Sequence, residues 1–377
     1  MNITVGTDPE IFFMENGMVF PAGLVFNEQF GMDTLDTQHG SLIADGAALE
    51  FQPFPSLEPK EVVVNLRELL KHGLEMARTA NKQLGIQPEV GFDLAWCEQN
   101  PSLGEFGCSP DRSAWGEECT PATIDASKHG WRYAGCHIHL GVVDDPDYFM
   151  RDDMITKTSK ALDRTVGLAS MVLSNNEDRR RRGIYGRPGI YRHQPWGAEY
   201  RTPSNVLLRS PSMMEFIFRL AQQTIELTAD HYTTFNSIIP DDLVVQVLRG
   251  DDLVSARELY MRMANVFCLD KLPHSSRDWA ASWFGAENGA NPQIDYAAME
   301  RAIGTIDNPY TFEPVPEGGI DETILPRGPE YRIRSSFRDR PTRLERAEAV
   351  EEATTEFTES VPGTWSTAVS NETPRGA

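Results

Sequence analysis

The chain has 377 residues, 40% of them apolar, and a formal charge of −21. That length buries a sizeable core as one large domain or two smaller ones, and the acidity argues against a protein that wraps nucleic acid. No apolar run reaches the length of a membrane span, and Met1-Asn2-Ile3-Thr4-Val5 enters a strand-like segment with no signal peptide, so a cytoplasmic protein is expected.

Ile3 to Ala22 reads as a hairpin. Apolar residues run to Met14, Glu15-Asn16-Gly17 turns, and Met18-Val19-Phe20 returns, with Asn-Gly as the strongest turn signal. Just ahead lies Gly6-Thr7-Asp8-Pro9-Glu10. Asp8 and Glu10 are two apart and share a face if the strand is regular, which Pro9 allows only at an edge or bulge. Leu42 to Phe54 holds Asp45-Gly46-Ala47-Ala48-Leu49-Glu50-Phe51-Gln52, in which Leu49 and Phe51 alternate with Glu50 and Gln52 as in a half-buried strand. Ser56 to Leu84 reads as a helix, capped by Ser56, with Pro59 in its first turn and Gly85 at its stop.

Pro88 to Trp96 is a further strand candidate. Asn100 to Thr120 is loop-like, rich in Gly, Pro and acidic residues, and contains Phe106-Gly107-Cys108-Ser109-Pro110-Asp111; a loop of that length is functional or disordered. Next comes Ala134-Gly135-Cys136-His137-Ile138-His139-Leu140-Gly141. Alternate residues of a strand face one way, so both imidazoles project together and Cys136, Ile138 and Leu140 enter a core. The five cysteines (97, 108, 119, 136 and 268) are odd in number and form no Cys-x-x-Cys pair, which argues for reduced, mostly buried thiols.

Arg151 to Leu173 has helical spacing. The most basic stretch, Arg179 to Arg192, follows, with Arg179-Arg180-Arg181-Arg182 at its head and glycines that interrupt it too often for a helix. Trp196-Gly197-Ala198-Glu199-Tyr200-Arg201 then places Glu199 and Arg201 two apart on a strand. Helices are expected over Ser210–Phe235 and Asp251–Cys268. Glu287 to Gly328 is rich in Gly, Pro and Asp, with a short helix near Ala297. Beyond a turn near Arg346, the acidic stretch 341–377 has little to bury and is expected to be mobile.

Four strand-like stretches thus offer polar groups to one face: Asp8/Glu10, Glu50, His137/His139 and Glu199/Arg201. Carboxylates with an imidazole suit magnesium or manganese, and a thiol-poor set argues against zinc. Such cations together with many arginines are what binding a polyphosphate requires. Singly, the plain alternatives are a solvated basic loop or nucleic-acid contact for Arg179–Arg182, and a local charge pair for Glu199/Arg201.

Together the motifs resemble the glutamine synthetase and glutamate–cysteine ligase superfamily, most closely its phage-type carboxylate–amine ligase (type 2 amidoligase) branch. The resemblance is carried by Gly6–Glu10, Asp45–Phe51, Phe106–Asp111, Gly135–Gly141, Arg180–Gly186 and Glu199–Ser204, and so spans roughly residues 1 to 210. It implies an α+β fold in which a curved antiparallel sheet, backed by helices, holds ATP and two or three Mg2+ or Mn2+ ions in its concave face. One catalytic domain over 1–335 is implied, with its core motifs in 1–210 and a helical part over 210–335, ahead of the 341–377 tail.

By the same resemblance Glu10, Glu50, His137 and Glu199 bind metal, with Asp8 beside them where the family usually has glutamate. His139 lies nearer the nucleotide, and Arg180, Arg181, Arg182, Arg187 and Arg192 face its phosphates. Arg201 steadies the phosphoryl group in flight, so that Arg201, Glu50 and Glu199 carry the catalysis. Asp111 and Tyr185 are candidates to hold the amine or the acid. The implied chemistry is amide formation through an acyl phosphate, in the cytoplasm of a bacterium or phage-infected host. Small-molecule or peptide acids and amines are the implied partners, with a glutamine amidotransferase as a further one and homo-oligomers as a common assembly. Two rival readings are a guanidino-kinase-like phosphotransferase of the same fold, and a non-catalytic protein that uses the Arg179–Arg192 loop on nucleic acid or a partner.

Overall fold

A computed structural model describes residues 1–99, 103, 112–116, 126–250, 252–270 and 272. Most of the 100–120 loop, including Phe106–Asp111 and the candidate Asp111, lies outside the described residues, as do the helix near Ala297, the turn near Arg346 and the 341–377 tail.

The chain begins with β1 (Ile3–Thr7), β2 (Glu10–Glu15), β3 (Met18–Phe20) and α1 (Ala22–Phe30). It continues through β4 (Thr34–Thr37), β5 (Gly40–Asp45), β6 (Ala48–Pro53), α2 (Pro59–Thr79), β7 (Gln83–Gly85), β8 (Glu89–Gly91) and α3 (Ala95–Gln99). Short β9 (Arg112–Ser113) precedes β10 (Trp131–Tyr133), β11 (Ile138–Val142), α4 (Asp152–Leu162), α5 (Leu168–Leu173) and α6 (Arg179–Ile184). The hairpin of β12 (Ile190–Gln194) and β13 (Gly197–Tyr200) leads to α7 (Pro211–Ile238), α8 (Asp241–Arg249) and α9 (Leu253–Phe267).

These strands form two larger antiparallel sheets, ordered β1-β11-β13-β12-β9 and β3-β2-β6-β5-β4, with β7 also on β2 and a separate β8–β10 pair. The first two strands lie in different sheets, and the chain turns between them at Asp8-Pro9. Val5 also bridges Ser56 beyond the end of β6, so the sheets curl as an open half-barrel. Helices cover one side. The apolar stripe of α2 (Val63, Leu66, Leu70, Leu74) is buried against β5 and β6, while Gln222 of α7 donates to the carbonyls of Ile3 and Leu57 and ties that helix to β1. Among the described residues no helix is long and apolar enough to cross a membrane.

Several expectations need correction. The Asn16-Gly17 turn forms, both residues taking positive φ (52° and 79°) as a tight two-residue hairpin requires. The hairpin, however, is β2–β3 alone, because Pro9 cannot donate to a ladder and the strand breaks there. Asp8 and Glu10 therefore do not share a strand face. The first long helix ends at Thr79, and Gln83–Gly85 forms β7 instead. Ser56 accepts from the Glu58 amide and donates to Glu61, which steadies the turn ahead of the helix, whose N-cap is Glu58. Only Glu89–Gly91 of the Pro88–Trp96 candidate is strand, and Ala95 already starts α3. The helix expected over Arg151–Leu173 opens into a π turn at Asp163–Gly167. Helices α1 and α8 fall where none was expected.

The arginine run is also a helix. Arginine is a good helix former, and Gly183 and Gly186 sit at the end of α6 and beyond it rather than inside it. The helix sends successive guanidiniums to different places. Arg181 is fully buried and donates to the carbonyls of Thr202 (2.7 Å) and Arg201 (3.2 Å). Arg182, also buried, bonds Asp178, Asn176 and the carbonyl of Leu248. Arg180 lies at the surface over the Trp131 ring. We expect Arg181→Ala to lower unfolding stability by about 3 kcal/mol, by orphaning buried carbonyls and leaving a cavity, and Arg180→Ala to change it by under about 0.5 kcal/mol. Urea titration measures both; equal small losses would show that Arg181 is not a framework residue.

Candidate functional site

The break at Pro9 makes two carboxylate groups out of one motif. In the first, ligand atoms of Asp8, His139 and Glu199 all lie within 4.8 Å of one another; in the second, those of Glu10, Asp45 and Glu50 do the same. Sheet register assembles each. His139 is paired with Glu199 across β11–β13, and Glu10 with Glu50 across β2–β6. Cross-strand partners project to one face, so each pair is brought side by side.

Asp8 sits between the two imidazoles. His137 Nδ1 donates to Asp8 Oδ2 at 3.2 Å, and His139 Nε2 lies 3.3 Å from the same oxygen. Burial works to raise the Asp8 pKa, but His137 and His139 outweigh it and hold the carboxyl well below its usual range. Glu199 is buried on β13. It accepts from Arg201 Nη1 and from Gln194 (2.8 Å), and Arg192 Nη1 is 3.5 Å away. Burial and Asp8 push its pKa up, while Arg201 and the imidazoles bring it net below the ordinary value. Burial and Arg201 lower His137, whereas Asp8 and Glu199 raise His139 against burial. The resemblance assigns the metal imidazole to His137, whose Nδ1 lies 3.0 Å from Asp8 Oδ1 and 3.3 Å from Glu199 Oε1; His139 offers a ring nitrogen to the same two carboxylates. Gly135 is required here, because a Cβ on it would lie 2.3 Å from His137 Nε2.

The second group is short of positive charge. Burial, then Asp45, raises the Glu10 pKa to about 7, although its Oε2 accepts the Gly135 amide at 2.6 Å. Burial and Asp8 raise Asp45, and burial with Asp8, Glu10 and Asp45 raises Glu50 well above the usual value. Tyr185 ties the groups together: its hydroxyl donates to Glu10 Oε1 (3.2 Å) and accepts from Arg201 Nη2 (3.0 Å).

The site thus gathers Asp8, Glu10, Glu50, His137, His139, Tyr185, Arg192, Glu199 and Arg201 of the expected residues. Arg187 is half-buried, with its carbonyl accepting from Thr202. Arg180, Arg181 and Arg182, expected at phosphate, are engaged elsewhere, as described above. Asp45 carried no expected role. Its signal was the hairpin register: with Asp45 opposite Ala48, Glu50 falls on the same face two residues on. Asp163 was missed as well. Fully buried in the π turn, it accepts from Tyr200 Oη (2.7 Å) and Trp115 Nε1 (2.6 Å), and so clamps β13 between Glu199 and Arg201 from behind. Nothing local marks that contact in the sequence.

Divalent cations fit both groups. In the first group, Asp8 Oδ1 and His139 Nε2 are buried with only imidazole–carboxylate ion pairs among the described residues to meet them. In the second, beyond the effect of burial, Asp45 raises the pKa of Glu10 and both raise that of Glu50. Hard oxygens with an imidazole are the donors that Mg2+ and Mn2+ take.

A pH dependence follows. Glu10, Asp45 and Glu50 hold protons more tightly in the fold than free carboxyls do, so between the ordinary carboxylate value and about pH 7 the native state binds more protons than the unfolded chain. Stability must fall as pH rises through that window; His139 reinforces the trend and His137 opposes it. Without divalent cation, the melting temperature is expected to drop from about pH 5 to about pH 8, and Mg2+ or Mn2+ to restore it at the upper end. A melting temperature that climbs over this range, with no response to cation, would refute the charge assignment.

Fold and site together define a mixed α/β protein whose curled antiparallel sheet carries a partly buried acidic centre, with two groups that could hold a metal ion, clamped by arginine. Residues 126–246 match the family model described as phage phiEco32-like COOH.NH2 ligase-type 2. The matched segment is 121 of the 377 residues, and the family it is similar to is the carboxylate–amine ligase family that the motifs resemble. The matched segment holds His137, His139, Tyr185, Arg192, Glu199 and Arg201, while Glu10 and Glu50 precede it. No curated protein matches the chain.

Proposed function

We propose that this protein is an ATP-dependent ligase that joins a carboxylate to an amine through an acyl phosphate, on a sheet of the glutamine synthetase catalytic type. The observation that carries the reading is the meeting of Asp8/His139/Glu199 and Glu10/Asp45/Glu50 around Arg201 and Tyr185. Those two groups would hold Mg2+ or Mn2+, which when bound neutralise phosphate oxygens.

The substrate carboxylate oxygen attacks the γ-phosphorus of ATP; the new O–P bond forms as the bond to ADP breaks. The amine nitrogen then attacks the acyl carbon, phosphate leaves with the bonding electrons, and the nitrogen loses a proton. Arg201 is placed to meet charge on the transferred group. Its guanidinium is already oriented by Glu199 and Tyr185, so little reorganisation is needed during the reaction. Arg192, beside Glu199, adds a second positive group. Burial of Glu199 and Arg201 strengthens the interaction between them.

The test is phosphate release from ATP with Mg2+, screened against pooled acids and amines. Release that requires one acid and one amine together supports the ligase. Release that requires only a guanidino compound, with a phosphorylated product, would replace it by the kinase reading. Burial of Arg181 and Arg182 inside the framework weighs against the nucleic-acid reading, which would rest on exposed Arg179 and Arg180; salt-dependent nucleic-acid binding lost in Arg180→Ala, with no ATP turnover, would favour it instead.

A further inference from the structure

We infer that Trp196, with His139 and Pro55, forms the platform on which the base of the nucleoside triphosphate stacks. This rests on the nucleotide reading above and adds the subsite that selects a nucleotide over a bare polyphosphate.

Trp196 occupies the two-residue turn Pro195-Trp196 between β12 and β13, where Gln194 pairs with Gly197. Tight turns favour Gly, Asn and Asp, so turn chemistry does not account for a tryptophan there. The side chain is 42% exposed, yet its ring is held against the site, 4.7 Å from the His139 ring centre and inclined at 41°. The turn itself is pinned to β11. Gly197 takes φ +149°, and a Cβ there would lie 2.1 Å from the Leu140 carbonyl oxygen.

On the other side of His139 the chain makes room. Gly6 is its register partner, and a Cβ on Gly6 would press on Pro55 (3.3 Å) and on the His139 Cβ (3.4 Å). Exposed Pro55 and the exposed indole thus both neighbour the half-buried imidazole, and the three form an apolar margin. That margin borders Asp8, 3.3 Å from His139 Nε2, and through it the Asp8/His139/Glu199 group. A ligand that matches both halves carries dense negative charge at one end, for the cation groups and arginines, and a flat π face at the other. A nucleoside triphosphate has that division.

The experiment is titration calorimetry on the full chain with Mg2+, using a non-hydrolysable ATP analogue and, as the probe without a base, inorganic tripolyphosphate. Trp196→Ala is expected to weaken the analogue on the order of 10- to 100-fold, the worth of base–aromatic stacking, and to leave tripolyphosphate within about twofold; Trp196→Phe should recover most of the loss. Melting curves confirm that the variants are folded. Unchanged analogue binding in Trp196→Ala, or equal loss of both probes, overturns the platform, the latter because Trp196 would then merely hold His139. Wild-type protein that binds tripolyphosphate as tightly as the analogue overturns the base site and leaves the phosphate reading standing. If neither probe binds the wild type, the nucleotide reading itself fails and the platform with it.

Discussion

Glu50→Gln is expected to abolish ligation while raising the melting temperature of the cation-free protein. Glu50 lies opposite Glu10 in the β2–β6 register and on the same face as Asp45, and its carboxyl is pushed well above the usual pKa by burial and by Asp8, Glu10 and Asp45. Its charge is therefore unfavourable to the empty fold. Glutamine keeps the shape, removes the repulsion, and lets the Glu10 and Asp45 carboxyls ionise more readily. At about pH 8, relief of roughly 1 kcal/mol corresponds to a rise of about 2–4 °C in a domain of this size. Turnover should fall by ~10³-fold or more, because a neutral amide cannot replace a carboxylate ligand to a hard cation. Scanning fluorimetry and phosphate release read the two effects. A variant that keeps near-normal turnover removes Glu50 from the cation site, and one that melts lower shows that the carboxylate supports the fold. Opposite signs in stability and activity are the mark of a residue kept for function.

Arg201→Lys should be as damaging to turnover. Arg201 is 2% exposed; Nη1 donates to Glu199, Nη2 donates to Tyr185 at 3.0 Å, and Tyr185 in turn holds Glu10. The planar fork reaches both partners at once. An ammonium keeps the charge near Glu199 but loses the second arm, so Tyr185 and through it Glu10 are no longer aligned. A loss of ~10²–10³-fold in turnover is expected, the cost of removing an oriented donor from a preorganised site, with about 1–3 kcal/mol of stability from the broken buried bond. If activity stays within about threefold while stability drops by that amount, Arg201 is a framework residue like Arg181, and charge on the transferred group is met elsewhere.

The Arg181 and Arg201 pair shows how far local reading reaches. Both are buried arginines in basic or charged motifs, and the sequence does not distinguish them. The difference arises because α6 turns Arg181 toward the backbone of residues 201 and 202, while Arg201, just past the end of β13, turns toward Glu199. Strand period was the dependable guide. It put His137 and His139 on one side, where the structure has both meet Asp8, and put Glu50 on the polar face between buried Leu49 and Phe51. Asn16-Gly17 likewise read correctly, because positive φ is a property of those two residues and not of their surroundings.

What could not be read depended on partners far along the chain. Glu10 meets Glu50, His139 meets Glu199, and Asp163 meets Tyr200 only after the sheets have formed. The sequence by itself determined which residues have the chemistry of the site and, through the two-residue strand period, which near neighbours face the same way. Only the tertiary structure decided that Asp8 and Glu10 serve different groups, that Asp45 joins one of them, and that three arginines in a row take three separate roles. The physical reason is that facing is set by local backbone geometry, whereas grouping is set by sheet membership and register, which depend on burying one shared core.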